Sequence, residues 1–258
     1  MSVLRRPFIL LAALFAALFL LVAGCFSEEV RPPAPRGAAG PESTFGAART
    51  APALPSAPSP PRNIPALGPQ TRAQLPADTR QALVVTGAAP DSNRATAMLY
   101  TRDDPAEGWR PATGPWPAHN GMRGWTDHHV ADDLKSPNGV FGLTDAGGRL
   151  ADPGALLPYD EQPRFAVSGD GFFGEPLEGS FDYVIAINYN RQPGTSPLDH
   201  TRPLGEDRGG GIWIHVDHGG PTQGCVSLPE ERMRELLRTL DPAKNPVIVM
   251  GDVAALAR

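Results

Sequence analysis

A histidine and a cysteine ten residues apart, His215 and Cys225, are the side chains of this chain best suited to acyl transfer. A cysteine thiolate can attack a carbonyl and form a thioester, while an imidazole moves the protons of the leaving and attacking amines. Backbone N–H groups at Gly224 and Cys225 can bind the oxyanion, and the glycine lets the chain approach closely. The opposite interpretation, an inert thiol packed as a small hydrophobe, stays open at this point.

His215 lies in a predicted strand that follows a glycine triplet, within Gly209–Asp217. Side chains alternate along a strand, so the aliphatic residues Ile212, Ile214 and Val216 face one way and Trp213, His215 and Asp217 face the other. The histidine is therefore expected on the face away from the aliphatic row.

Cys225 comes just before the one clearly predicted helix, Leu228–Leu240. Ser227 and Glu230 form a capping-box pattern at its start, and Asp241-Pro242 ends it. An apolar stripe at helical spacing predicts its buried face: Met233, Leu236, Leu237 and Leu240. A thiol near a helix N-terminus would have a lowered pKa.

The remaining patterns predict a mainly β domain. Short β-type runs occur at 81–86 and 95–100 as a hairpin-like pair, and again at 247–250. The stretch Asp182–Asn190 is apolar on both faces and predicts a central strand. Thirty prolines and 28 glycines among 258 residues favour a loop-rich β protein over a helical bundle. A net charge of −5 offers no basic surface for nucleic acid, so that partner is not expected.

The first 24 residues have the features of an export signal, with Arg5 and Arg6 before an apolar run from Phe8 to Ala23 that Gly24 follows. Val22 to Cys25 resembles a bacterial lipobox, which implies lipidation of Cys25 and a membrane anchor facing outward. An uncleaved anchor and plain secretion are the alternatives. Residues 25–78 are rich in proline and alanine and are expected to form a tether, which leaves 79–258 as the folded domain.

Other polar residues are weaker candidates. His215, Asp217 and His218 suggest a metal site, but 215 and 218 would point to opposite faces of a strand, so no metal is expected. Three histidines are expected at the surface or in loops: His119, His128 and His129. His200 and Arg202 lie in the long connection before the glycine triplet, where an ordinary solvated loop is expected and lining of a substrate cleft is the alternative. The tryptophans suit either core packing or stacking on sugar rings.

Three stretches together resemble one family. Gly211–Leu228, with an apolar strand carrying His215 and Gly224-Cys225-Val226 after it, resembles the signature of the bacterial L,D-transpeptidase catalytic domain. Lys135–Phe141 resembles that family's T-P-x-G-x-F stretch, and Asp182–Arg191 resembles its strand containing Tyr-Asn.

This resemblance implies a β-sandwich whose cysteine attacks the bond between an L-centre and a D-residue of a peptidoglycan stem peptide. It makes Cys225 the nucleophile and His215 the base, with substrate or oxyanion contacts from Gly224, Thr222, Gln223 and Ser227. Gln223 stands where the family usually has histidine, and Ser227 where it has arginine or asparagine.

The implied partners are peptidoglycan stem peptides, and thiol acyl chemistry needs no cofactor. The implied product is a cross-link between stems. Two alternatives remain from the sequence: hydrolysis of the same acyl-enzyme, which is L,D-carboxypeptidase activity, and a non-catalytic wall-binding lipoprotein with a structural thiol.

Overall fold

A computed structural model describes residues 59–258. The expected export signal, the lipidation site Cys25 and residues 26–58 of the expected tether lie outside this range. Within it, no helix has both the length and the apolar character needed to cross a membrane.

The described domain is mainly β, as the sequence predicts. The twelve strands are β1 Gln81–Gly87, β2 Arg94–Thr101, β3 Arg110–Pro111, β4 Trp116–His119, β5 Trp125–Thr126, β6 Ser136–Pro137, β7 Gly139–Gly148, β8 Tyr159–Glu161, β9 Val184–Ile187, β10 Trp213–Val216, β11 Val226–Leu228 and β12 Val247–Asp252. The helices are α1 Pro69–Ala73, α2 Glu230–Thr239 and α3 Val253–Leu256, with short 3₁₀ turns at Glu206–Arg208 and Pro242–Lys244.

The strand pairings close into a ring. Strands follow the order β1-β12-β7-β9-β10-β11-β4-β2, and β2 pairs with β1 to complete the circuit. Strands β3 and β8 extend this sheet at its margins, while β5 and β6 form a separate pair. The implied sandwich is thus one continuous sheet in its hydrogen bonding, and closure leaves fewer exposed strand edges.

The predicted strands and hairpin are present. β1 pairs antiparallel with β2 along the whole of β1, and β9 is entirely buried between β7 and β10. Large aliphatic side chains from β1, β9 and β12 meet inside the ring, among them Leu83, Ile185 and Ile248, each 0% exposed. This core fixes the strands whose ends carry the candidate site.

Helix α2 buries the predicted stripe, because Met233, Leu236, Leu237 and Leu240 all belong to the core. Its start differs from the expectation. The residue before its first turn is Pro229, with no side-chain cap, and Ser227 belongs to β11. Ladder hydrogen bonds to β10 and burial of Val226 and Leu228 outweigh the local capping preference at Ser227.

The packed region begins before residue 79, which differs from the expected boundary. Ile64 and Leu67 are buried against the outer face of β1 and β12, where they contact a second apolar cluster that includes Val84 and Trp109. The Gly68 N–H also donates to the Leu256 carbonyl at 2.8 Å. Since β1 is apolar on both faces, its outer face needs a cover, and residues before 79 supply it.

Candidate active site

His215 lies on β10, and Cys225 immediately precedes the neighbouring parallel strand β11. In the register of β10 and β11, His215 pairs with Ser227, so Cys225 comes one position before the start of β11, beside Trp213. Paired residues of parallel strands point to the same face, which directs the cysteine and histidine side chains to one side of the sheet. Both line a single cleft of about 680 Å³.

Cys225 is half-buried as a residue and lines this cleft. Its Sγ accepts a hydrogen bond from the Trp213 N–H at 3.4 Å, and the S–H donates toward the Gly211 carbonyl at 3.6 Å. Burial raises the pKa of the thiol to about 11, although the Trp213 N–H opposes this. The lowered pKa expected from a helix N-terminus is therefore wrong, because β11 separates the cysteine from α2.

His215 is buried, with 3% of its surface exposed. Its Nδ1 lies 2.9 Å from the Val216 carbonyl oxygen, which can only accept, so Nδ1 carries the proton and Nε2 keeps its lone pair. Burial lowers the pKa of His215 to about 4. The resting pair is thus a neutral thiol and a neutral imidazole that can accept a proton.

His218 packs directly on His215, with ring centroids 5.8 Å apart and planes within 8° of parallel. The expectation that 215 and 218 point to opposite faces is wrong, since β10 ends at Val216 and the chain turns. The Nδ1 of His218 lies 3.2 Å from Glu175 Oε1, and both side chains are largely buried. Gly171 and Gly220 leave the space that this carboxylate fills, because a side chain at either position would collide with it.

The turn that presents Cys225 is held by Thr222. Its hydroxyl donates to the Cys225 carbonyl at 2.6 Å and accepts from the Gly224 N–H at 3.1 Å. Gly224 has φ +151°, and a methyl group there would lie 3.0 Å from the Lys135 carbonyl oxygen. Thr222 therefore positions the turn. The Gly224 N–H, one of the two expected oxyanion donors, already donates its hydrogen bond to the Thr222 hydroxyl.

Ser136 ties the stretch 135–141 to the same turn. Its hydroxyl donates to the Gly224 carbonyl at 2.8 Å and accepts from the Gly121 N–H at 2.9 Å. The stretch that resembles T-P-x-G-x-F thus stabilises the turn that carries Cys225, through the hydrogen bond from Ser136 to the Gly224 carbonyl.

The expected substrate contacts separate into two groups. Gln223 is exposed and lines the cleft with Gly224. Ser227 is fully buried and does not line it; its hydroxyl donates to Asp217 Oδ1 at 2.6 Å. His119, expected in a surface loop, is on β4 and places its Nδ1 2.8 Å from the same carboxylate oxygen.

His129 is a cleft residue that sequence reasoning placed in a surface loop. Its side chain is 4% exposed, lies 3.0 Å from Asp133 Oδ1 and packs edge-on against Tyr189. A methyl group at Gly209 would lie 2.9 Å from its Nε2, so the ring wedges against the glycine triplet. No local pattern in the sequence signals this burial, which comes from contacts distant along the chain.

Tyr189 and Asn190, which follow the end of β9, hold the loop that leads to the glycine triplet. The Tyr189 hydroxyl donates to the Arg208 carbonyl at 2.9 Å, and the Asn190 amide donates to the Gly205 carbonyl at 2.9 Å. His200 and Arg202 line the cleft from this same loop, so the alternative interpretation of these two residues, and not the expected solvated loop, agrees with the structure. Three tryptophans, at 109, 116 and 125, are buried in the core, whereas Trp213 lines the cleft.

Within residues 59–258, no group of three or more histidine, cysteine, aspartate or glutamate side chains is arranged to hold a metal ion.

A family model for the L,D-transpeptidase catalytic domain, YkuD, matches residues 88–249. The chain belongs to this family. The match covers β2 to β12 almost completely, including both Cys225 and His215. It gives the chain the catalytic domain of an L,D-transpeptidase family enzyme, in agreement with the mainly β fold. No curated protein and no solved structure matches the chain.

Proposed function

We propose that the protein is a peptidoglycan L,D-transpeptidase that cross-links stem peptides through a thioester on Cys225. The observation that carries this proposal is that Cys225 and His215, whose Nε2 is unprotonated, line one cleft in a domain of this family. A thiol and an imidazole that face one substrate cleft are the minimal machinery for acyl transfer.

In the first half-reaction, His215 Nε2 takes the thiol proton and Sγ attacks the carbonyl between the L-centre and the terminal D-Ala. The carbonyl oxygen becomes an oxyanion, for which we assign the Cys225 N–H as donor, since the Gly224 N–H already donates to Thr222. The C–N bond then breaks, and His215 returns the proton to the departing D-Ala amine. A thioester on Cys225 and free D-Ala result.

In the second half-reaction, His215 takes a proton from an amine of a neighbouring stem, and that amine attacks the thioester. Collapse of the tetrahedral intermediate breaks the C–S bond, forms the new peptide bond and returns the proton to the thiol. Water in place of the amine would yield a tripeptide and make the enzyme an L,D-carboxypeptidase.

A neutral resting pair fits this sequence of steps. The thiol pKa of about 11 and the imidazole pKa of about 4 keep the proton on sulfur until substrate enters the cleft. When the substrate binds, it excludes water from the cleft and places its carbonyl carbon beside the sulfur. The thiol proton then passes to His215 as the sulfur attacks, so that negative charge develops on the carbonyl oxygen, where backbone N–H groups can stabilise it.

We also propose that the chain is exported and anchored outside the cell membrane by lipid on Cys25, with residues 26–58 as part of a spacer. The support is the apolar N-terminal segment with its lipobox-like end. A Cys25→Ser variant should move the protein from the membrane fraction to the soluble fraction. Retention of that variant in the membrane would favour an uncleaved anchor.

The reaction itself is tested with a disaccharide-tetrapeptide as both donor and acceptor. Full-length protein should release D-Ala and yield a cross-linked dimer, whereas Cys225→Ala should return the substrate intact. Tripeptide without dimer would assign hydrolysis, and unchanged substrate with the wild type would leave wall binding as the better account.

A further inference from the structure

Arg202 places a guanidinium in the wall of the cleft. The side chain is half-buried, and its Nη1 donates to the carbonyl oxygens of Asp199 and Thr201 at 3.2 Å each. Two neutral acceptors at this length leave most of the five guanidinium donors for another partner.

Among residues 59–258, Arg202 forms no ion pair within 4.0 Å, unlike Arg191 and Arg258, which pair with carboxylates at 2.8 and 2.7 Å. Three carboxylates share its loop: Asp199, Glu206 and Asp207. Asp199 Oδ1 accepts a hydrogen bond from the Thr201 N–H at 2.8 Å, and its pKa is lowered mainly by Thr201 and less by the charge of Arg202. A cation that lines a concave site and has no carboxylate in direct contact is suited to bind an anion.

The Arg202 guanidinium also packs against the backbone of Gly210. Gly210 has φ +147°, and any side chain there would collide with the Nε of Arg202. Gly210, in the glycine triplet that precedes β10, therefore lets the Arg202 side chain lie against the backbone.

The Arg202 guanidinium is close to the sulfur of Cys225. A methyl group added at Gly211 would lie 3.7 Å from Arg202 Nη2, and the carbonyl oxygen of the same glycine lies 3.6 Å from Cys225 Sγ. The guanidinium and the sulfur therefore both lie near Gly211. The two distances, together with the size of a single peptide unit, place them at most about 10 Å apart.

A separation within that bound can accommodate a donor with a free terminal carboxylate. Sulfur attacks a carbonyl carbon at about 3 to 3.5 Å, and the carboxylate of the next residue lies within about 4 Å of that carbon. A charge-assisted hydrogen bond adds about 2.8 Å. An arginine about 7 to 10 Å from the sulfur can therefore reach that carboxylate.

We propose that Arg202 binds the terminal α-carboxylate of the donor stem and so selects donors that end one residue beyond the scissile bond. This inference rests on the proposed function and adds a specificity-determining residue to it. Arg202 acts on binding and orientation of the donor, and the carboxylate leaves the cleft with the released D-amino acid.

The test compares two donors, a tetrapeptide stem with a free C-terminal carboxylate and the same stem as a carboxamide, by acylation of the full-length protein. The variants are Arg202→Met, Arg202→Lys and, as a matched control, the exposed Arg164→Met. We expect the wild type and the control to prefer the carboxylate by about 10- to 100-fold in kcat/KM, as for hydrogen bonds to a charged group. Arg202→Met should lose that preference, and Arg202→Lys should keep part of it.

The carboxamide donor supplies the decisive comparison, because its rate should stay within about threefold in Arg202→Met. An equal loss with both donors would overturn the proposal and reduce Arg202 to a structural role. A wild type that reacts equally with both donors would also overturn it. If the wild type reacts with neither donor, the proposed function itself fails, which is a distinct result.

Discussion

The imidazole rings of His215 and His218 are stacked, with their centroids 5.8 Å apart and an angle of 8° between their planes. Because His218 also faces the Glu175 carboxylate, it connects the segment 169–177 to the candidate base. A cationic charge on His218 disfavours a second charge on His215 and adds to the burial that lowers the His215 pKa.

This contact makes the acid side of the pH profile testable. Acylation needs neutral His215, so activity should fall near pH 4, where its pKa lies. His218→Phe keeps a flat ring, removes the positive charge and leaves Glu175 unpaired, and each change raises the His215 pKa. We expect the acid limb of kcat/KM to move up by about 0.5 to 1 pH unit. An unchanged limb would show that His218 has no electrostatic effect on His215.

Alkylation of Cys225 by iodoacetamide should report the raised thiol pKa. Only the thiolate reacts, and a pKa of about 11 leaves it a small minority at neutral pH. The rate should therefore rise by about tenfold per pH unit between pH 7 and 10. Intact mass measured against time gives the rate. A plateau below pH 8 would instead reveal a thiolate–imidazolium pair in the free enzyme.

Thr222→Val should damage the turn that carries the nucleophile. The valine has nearly the same shape but cannot accept the Gly224 N–H or donate to the Cys225 carbonyl. Loss of these buried hydrogen bonds should lower the free energy of unfolding by about 1 to 3 kcal/mol and slow acylation. Urea unfolding and acylation kinetics measure both, with Thr222→Ser as the control that keeps the hydroxyl. Equal behaviour of the two variants would contradict the positioning role.

Ser227→Ala separates a structural role from a substrate contact. The serine is buried and donates to Asp217, outside the cleft lining. We expect a loss of about 1.5 to 3 kcal/mol in the free energy of unfolding, because the acceptor is charged, with KM within about twofold of the wild type. A large change in KM at unchanged stability would restore the substrate contact that the sequence resemblance implied.

Patterns of period two and period 3.6 predicted the elements that carry the site. The alternation around His215 predicted opposite faces for Ile214 and the histidine, and in the structure Ile214 is in the core while His215 lines the cleft. The apolar stripe of α2 is buried as expected. These features are local, since each depends on the order of apolar and polar residues within one strand or helix.

The surroundings of the thiol could not be predicted in this way. Ser227 follows a helix-capping pattern, yet pairing with His215 across β10 and β11 places it in a strand. The burial of His129 and the Glu175–His218 pair depend on segments about 80 and 43 residues apart along the chain. Long-range packing of this kind leaves no periodic trace in the sequence, and the same holds for Ile64 and Leu67 on the outer face of β1.

Intact mass of the full-length protein after incubation with a disaccharide-tetrapeptide tests the central claim most directly. The wild type should gain the mass of the donor minus D-Ala, and fragmentation should place the adduct on Cys225. Cys225→Ala should gain nothing, and His215→Gln should acylate at least about 100-fold more slowly, in keeping with loss of a general base. An adduct that persists in Cys225→Ala, or a wild type that stays unmodified beside intact substrate, would contradict the account.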